Sequence, residues 1–543
     1  MLAAAAVFLG LRFGTYVAGG ADSYGYVSQA DAWAAGDPVI AQAWVKDLPW
    51  PGGQWVFAPL GYKPAAGRQS VAIAPTYSPG LPLMMAAARR IAGECAMFWV
   101  VPIMGGLLVL ATFGVGRAVG SPGMGLLAAV FVLASPVFLF MLMSPMTDVP
   151  VAAAWTTALW WLIGSARSAT PTRGMVRVAA AGLAASAAVL IRPNLVAGLL
   201  ALALWFPLQL RLAGPRELRR ILLHAAVFVL AASIGVIAVA RINQYLYGSA
   251  LMSGYGGAGR LFSMANIWPN MTTYYGWFIE SQTTWPLVGV VAFAAPLAWF
   301  WPSARDRSGV IVIAALASVI LASYLVYDTF DAWWYLRFLL GVWPALMLGF
   351  AALLMAFARA GKIAGLFGRI VAALAVAVFA GWIVWRDVTF AREHSTFRLW
   401  MEERRYASVG RMVRASTEPS SVIFAIQHSG SLRRYAGRMT IRFDSVDDAW
   451  LDRTIAWLSE HGIASYLLIE DWEAGRFRDK FRSQQAGARV DEPPIVAYTG
   501  AGKISLYDLR APRDPMAAVT QIRETWDGPR CQHAVALEIP FGR

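Results

Sequence analysis

The chain is short of charge and almost without cysteine. Charged residues make up 14% of its 543 positions and hydrophobic residues 58%, whereas a soluble domain carries about 25% charged residues. That shortage argues against a string of ordinary soluble domains. The two cysteines, Cys95 and Cys531, supply neither a disulfide framework nor a metal spacing; a single bridge between them, and the redox compartment, stay open. The five histidines, at 224, 394, 428, 461 and 533, form no ligand pattern, and no HExxH or GxSxG sequence occurs. No motif calls for a metal or other cofactor, although carboxylates alone can hold a divalent ion. GxxxxGK[ST] is also missing, which argues against an ATP-driven pump made by this chain alone.

What the chain has instead is long apolar runs. Eleven candidate spans lie at about 2–18, 96–115, 124–142, 149–165, 176–191, 194–210, 222–240, 286–302, 309–327, 334–357 and 364–385. All but the fifth, which is short, are long enough to cross a hydrocarbon layer of roughly 30 Å. The first lacks the basic start of a signal peptide, contains Arg12 and is followed by many others, so it reads as a retained span. The fifth ends in Arg192-Pro193-Asn194, which leaves a re-entrant or tilted pair open there. The expected architecture is an α-helical polytopic membrane protein with a small C-terminal α/β domain, divided at about 390/391.

The formal net charge is +14, and its distribution favours the positive-inside rule over nucleic-acid binding. With a cytoplasmic N-terminus, the inside loops carry Arg117, Arg167, Arg173, Arg211, Arg216, Arg219, Arg220, Arg305, Arg307, Arg359 and Lys362. The outside loops at 143–148 and 328–333 hold only the acids Asp148, Asp328 and Asp331. Two large loops, 19–95 and 241–285, then lie outside with the tail, and both are rich in Trp, Tyr, Pro and Gly. In the tail, 400–415 reads as an amphipathic helix. The runs 421–426, 465–469, 495–498 and 504–507 read as strands, with a helix near 447–461; the last thirty residues show no pattern.

Three charged residues stand where a membrane boundary makes them expensive. Asp22 follows Gly19-Gly20 and precedes Tyr24-Gly25-Tyr26 at the mouth of the first span. Asp148 sits in Ser144-Pro145-Met146-Thr147-Asp148-Val149-Pro150, between two long apolar runs. Arg337 lies about one turn inside the tenth span, on the side where basic residues are disfavoured. All three face the same side. Charges at such places are candidates for function. The competing readings are a solvated helix end for Asp22 and an ion pair with Asp331 or Asp328 for Arg337. An anionic lipid phosphate is the functional partner for Arg337, since a guanidinium offers parallel donors to it; Arg192 invites the same argument less strongly.

The stretches Asp22-Ser23-Tyr24-Gly25-Tyr26, Tyr77-Ser78-Pro79-Gly80-Leu81-Pro82-Leu83, Asp148 with Pro150, Leu190-Ile191-Arg192-Pro193-Asn194 and Tyr335-Leu336-Arg337-Phe338-Leu339-Leu340 occur in an order and spacing that resembles GT-C fold glycosyltransferases, in particular the protein mannosyltransferase and aminoarabinose transferase group. The likeness covers roughly residues 1–385. It departs at Ser23, where many relatives have a second acid.

The resemblance implies transfer of a sugar from a polyprenyl-phosphate donor at the outer face of a bacterial inner membrane, with inversion at the sugar. The acceptor is a protein, lipid or glycan. It implies Asp22 as general base, Asp148 as a second catalytic acid, Arg337 and Arg192 at the donor phosphate, and Tyr24, Tyr77 and Tyr335 as substrate contacts. A secondary transporter or carrier flippase is the rival from another class. Charges confined to one face and the absence of an internal repeat speak against it. A bare membrane anchor leaves the aromatic loops unexplained.

Overall fold

The computed structural model describes residues 1–42, 45–46, 48–65, 71–257, 259 and 261–524. Cys531, and with it any bridge to Cys95, lies outside the described residues.

The membrane part is a bundle of apolar helices. Among the described residues, seven helices are long and apolar enough to cross a membrane, or eight if a bent pair counts as one span. The eleven expected spans do not all appear as such. Helix α1 (Leu2–Phe13) has 12 residues and then gives way to extended chain. The run expected at 286–302 is broken into short turns of helix around Trp285–Val288, Val291–Ala294 and Leu297–Trp299. Pro286 and Pro296 stand in that stretch, and a proline removes a backbone donor from a helix interior.

Helix α2 (Asp22–Ala35) opens the first outer loop. A small antiparallel sheet follows, made of β1 (Ile40–Ala41), β2 (Tyr62–Pro64) and β3 (Ala72–Pro75) in the order β1-β3-β2, and then α3 (Gly80–Ala92). The next spans are α4 (Val100–Val119) and the pair α5 (Pro122–Ala134) and α6 (Pro136–Leu142), which meet at 63°. Ser135 precedes Pro136 and is driven out of helical geometry, to φ −58° and ψ 126°, which makes the bend. Its hydroxyl accepts from Trp343 Nε1 at 2.8 Å. The bundle continues with α7 (Asp148–Ser165), α8 (Pro171–Ile191), the span Pro193–Ala213 and α9 (Leu218–Tyr247). At 1.5 Å per residue, the 30 residues of α9 run about 45 Å, well past the hydrocarbon layer. The outer loop expected from 241 therefore begins as helix. It goes on through α10 (Ile267–Ser281); α11 (Ala304–Leu325), α12 (Trp343–Ala360) and α13 (Gly365–Glu393) complete the bundle.

Beyond it lies the C-terminal α/β unit. The expected helix at 400–415 is interrupted at Arg404, giving a short turn Leu399–Glu403 and then α14 (Arg405–Ser416). The elements that follow are β4 (Val422–Phe424), α15 (Ser429–Tyr435), β5 (Met439–Ile441), α16 (Leu451–Glu460), β6 (Ser465–Glu470), α17 (Asp471–Lys480), β7 (Val496–Gly500), β8 (Gly502–Asp508) and β9 (Thr520–Arg523). They form one mixed sheet in the order β5-β4-β6-β8-β7-β9, parallel across β5-β4-β6 and antiparallel at β6/β8 and β7/β8. Strand β9 pairs parallel to β7 and lies in the tail that showed no sequence pattern.

Strand residues alternate between two cores, as a pleat of period two demands. Phe424, Leu467 and Ile469 face one side, and Ile423, Tyr466 and Leu468 the other. The first core also takes in Val45, Trp50, Val56 and Phe57 from the first outer loop. This unit is thus assembled from two segments far apart in sequence. Hydrogen bonds secure the join: Arg442 N donates to Val56 O at 2.8 Å, and Ala18 N donates to the Tyr435 hydroxyl at 2.9 Å.

Candidate active site

A cavity of about 1000 Å³ lies between the membrane bundle and the C-terminal unit. Asp22, Asp148, Arg192 and Arg337 all line it. They arrive from four stretches that no local rule would join.

Asp22 and Asp148 each stand in the first turn of a helix, α2 and α7, where the helix dipole favours a negative charge. Arg337 sits in a 3₁₀ helix of 10 residues, Trp333–Val342, longer than such helices usually run. Arg192 ends α8 in an extended conformation, φ −142° and ψ 87°, imposed by Pro193.

The charges form two pairs. Arg337 Nη2 donates to Asp22 Oδ2 at 2.8 Å, and the Tyr77 hydroxyl donates to Asp22 Oδ1 at 2.6 Å. Arg192 Nη2 donates to Asp148 Oδ1 at 2.5 Å; its Nε donates to Thr147 at 3.1 Å and its Nη1 to the Tyr324 hydroxyl at 2.9 Å. All three nitrogens of Arg192 are therefore engaged. Those of Arg337 are not: among the described residues Nε has no partner, and Nη1 meets only the Met146 sulfur at 3.6 Å. Arg337 is pinned between the rings of Tyr335 and Phe338, 4.9 and 5.4 Å from its guanidinium carbon.

Burial works to raise the Asp22 carboxyl, but the Arg337 charge and the Tyr77 bond outweigh it and hold the group below its ordinary range. In the same field, burial and the nearby Asp22 charge push the Tyr77 hydroxyl well up, so it stays a donor. The partners Asp331 and Asp328, entertained for Arg337 from sequence, give way to Asp22.

Tyr24 departs from its expected place. It is 4% exposed, packs on Tyr62 at 6.0 Å between ring centroids, and abuts Gly430 of the C-terminal unit rather than lining the cavity. Residues two apart on a helix point to opposite sides, whereas residues four apart share a face. Tyr26 is the one that turns with Asp22 into the cavity, its ring tilted against that of Tyr77 at 4.6 Å between centroids. That spacing was available in the sequence. The parts played by Tyr324 and Tyr327, from α11 and the loop after it, were not, because nothing local marks them. Tyr77 and Tyr335 line the cavity, Tyr77 through its bond to Asp22.

No protein-family model matches the sequence, and no curated protein does. Solved structures do match its shape. ArnT from Cupriavidus metallidurans, bound to undecaprenyl phosphate, superposes with a TM-score of 0.57 at 12% identity, covering 94% of this chain and 98% of that one. The archaeal oligosaccharyltransferase AglB from Archaeoglobus fulgidus, in complex with an inhibitory peptide and a dolichol-phosphate, gives 0.51 at 12% identity over 93% and 74%. Both are GT-C glycosyltransferases. At such identity the likeness is one of architecture: this chain is a multi-pass membrane protein with the GT-C fold, its cavity set where the helical bundle meets the C-terminal sheet.

Proposed function

We propose that the protein transfers a sugar from a polyprenyl-phosphate carrier to an acceptor at the outer face of a bacterial inner membrane, the N-terminus being cytoplasmic. Residues 1–390 form the catalytic part, and 391–543 the outer domain. The observation that carries this reading is the half-used Arg337 guanidinium. The guanidinium lines the cavity beside a carboxylate, and its Nη1 meets only a sulfur there, a poor partner for a charged donor. An anionic phosphate oxygen in the cavity supplies the acceptor that Nη1 lacks. The carriers in the ArnT and AglB structures, undecaprenyl phosphate and dolichol-phosphate, are of that chemistry.

In this reading the acceptor oxygen or nitrogen attacks the anomeric carbon and passes its proton to Asp22. The bond from that carbon to the phosphate oxygen breaks, and its electron pair leaves with the phosphate, where Arg337 offsets the growing charge. One displacement inverts the anomeric centre. Arg192 was expected at the phosphate as well. With its nitrogens engaged, it serves by holding Asp148 and Tyr324 in place, and Asp148 orients the acceptor side. Tyr335 fixes the Arg337 plane. Asp22 and Asp148 are each answered by an arginine, so the displacement is written without a metal.

The test uses the full chain in lipid nanodiscs with an undecaprenyl-phosphate sugar and an envelope extract as acceptor source. Wild type should transfer label and Asp22→Asn should lose transfer by about 10²-fold or more. Undiminished transfer by Asp22→Asn would remove Asp22 as the base.

A further inference from the structure

The far wall of the cavity belongs to the C-terminal unit. Strands β4 and β6 are parallel neighbours: the chain leaving β4 passes through α15 to β5 on one side, and the chain leaving β6 runs toward β7 on the other. Where connections diverge like this, the carboxyl ends of parallel strands leave a crevice suited to a ligand. Here Gln427 and His428 follow β4, Glu470 ends β6, and His428 Nε2 lies 2.9 Å from Glu470 Oε1 across the gap. The crevice opens onto the cavity through Glu402, Glu403, Arg405, Tyr406 and Gln427.

This wall stands directly over the chain that leads into Asp22. A side chain at Gly19 would come within 2.7 Å of Glu403 Oε2, and one at Gly20 within 3.1 Å of Gln427 Nε2. The glycine pair thus lets the wall close on the segment three residues before Asp22. The wall has no spare cation. Arg405 donates to Glu470, to the Glu402 carbonyl and to the Tyr406 hydroxyl. The Glu403 side chain, by contrast, makes no hydrogen bond or ion pair with another described residue although it lines the cavity. Exposed Trp334 and Phe330 flank the same space.

Resting on the transferase reading above, we infer that this wall is the acceptor subsite and that it takes a hydroxyl-rich glycan without anionic groups. Carboxyl oxygens at Glu402 and Glu403 accept from sugar hydroxyls, and the aromatic rings take the apolar face of the ring. With Arg405 fully engaged, this wall offers a phosphorylated acceptor no cation to pair with. The acceptor then lies between Glu403 and Asp22, with one hydroxyl turned to the base.

The experiment is saturation-transfer NMR on the full chain in nanodiscs. Its probes are an equimolar mixture of neutral trisaccharides (maltotriose, cellotriose and mannotriose), the phosphate esters of the same sugars, and a serine-containing tripeptide amide. The neutral sugars should give signal, reduced at least five-fold in Glu403→Ala and in the double variant Glu402→Gln, Glu403→Gln; the phosphate esters should give none. A cooperative melting transition and retained undecaprenyl phosphate binding certify that the variants are folded. Binding of the esters or the peptide in preference to the neutral sugars would overturn the inference, as would silence of the sugars or a signal indifferent to Glu403→Ala. If wild type fails to bind undecaprenyl phosphate, the transferase reading itself falls; if it binds the carrier and not the sugars, only the acceptor assignment does.

Discussion

Arg337 grips Asp22 across 315 positions of chain, Nη2 to Oδ2 at 2.8 Å. The pair explains how an arginine tolerates the outer end of an apolar span and how a carboxylate in this cavity stays ionised. It also leaves two guanidinium nitrogens without an oxygen partner.

Substituting this arginine separates those roles. Arg337→Gln should weaken undecaprenyl phosphate binding by about ten- to hundred-fold, the worth of a hydrogen bond to a charged group. Arg337→Lys should fall between, since an ammonium keeps the charge but not the parallel donors. Titration of the carrier into nanodiscs, followed by native mass spectrometry, reads both; equal binding by Arg337→Gln and wild type would refute the phosphate role.

Tyr77 acts through Asp22, and its signature is a pH profile. The Tyr77 bond helps to lower the Asp22 carboxyl, so Tyr77→Phe should raise it and move the acid limb of the rate profile to higher pH, with little change near pH 7. Stability follows the same sign. A depressed carboxyl stabilises the fold above its unfolded value, and that contribution fades as pH falls through the folded one. A flat loss of rate at every pH, without movement of the limb, would mean that Tyr77 only contacts substrate.

The Arg192–Asp148 pair is the deeper one, with side chains 11% and 1% exposed. Arg192→Ala leaves the Asp148 charge stranded and should cost about 3–5 kcal/mol of stability. The double variant Arg192→Met, Asp148→Leu should recover most of that loss while remaining inactive. Melting temperatures of the three proteins decide it: a double variant no more stable than Arg192→Ala would show that the charge is not the cause.

Glu403 carries a stability cost that depends on pH. Burial pushes its carboxyl up from an ordinary 4.5 to about 7, against the pull of Arg405. The native state then holds the proton more tightly than the unfolded chain, so this contribution is full below about 4.5 and is lost as pH rises through about 7. Glu473, raised to about 7 by burial, adds the same slope. Glu403→Gln should flatten part of the decline in melting temperature between pH 5 and 8. An unaltered slope would contradict the raised carboxyl.

Much of this was legible in the chain. Apolar runs of membrane length and arginines confined to alternate loops announced the bundle, because burial in hydrocarbon tolerates little else. Asp22, Asp148, Arg192 and Arg337 were legible too, since a charge at a membrane boundary needs a reason. Tyr24 and Tyr26 look alike in the local sequence, and only the helical phase, which turns Tyr26 and not Tyr24 toward the side of Asp22, separates them. The run at 286–302 looked like a span by composition, and its prolines broke it. Strand β9 carries no strand-like run of its own; it exists by pairing with β7.

The sequence by itself thus determined which residues leave water and which charges are too costly to be idle, since both follow from transfer energies of single side chains and short segments. Only the tertiary structure decided who answers whom. Arg337 could have met Asp331 or a lipid; the packing of the 3₁₀ helix against α6, α7, α10 and α11 brought it to Asp22 and left its Nε without a partner among the described residues. The same holds for the wall of Glu403 and Gln427 over Gly19 and Gly20, and for Val45 to Phe57 completing a core nearly four hundred residues away. Such pairings depend on long-range closure of the chain, whose outcome is set by the sum of many contacts and not by any one stretch.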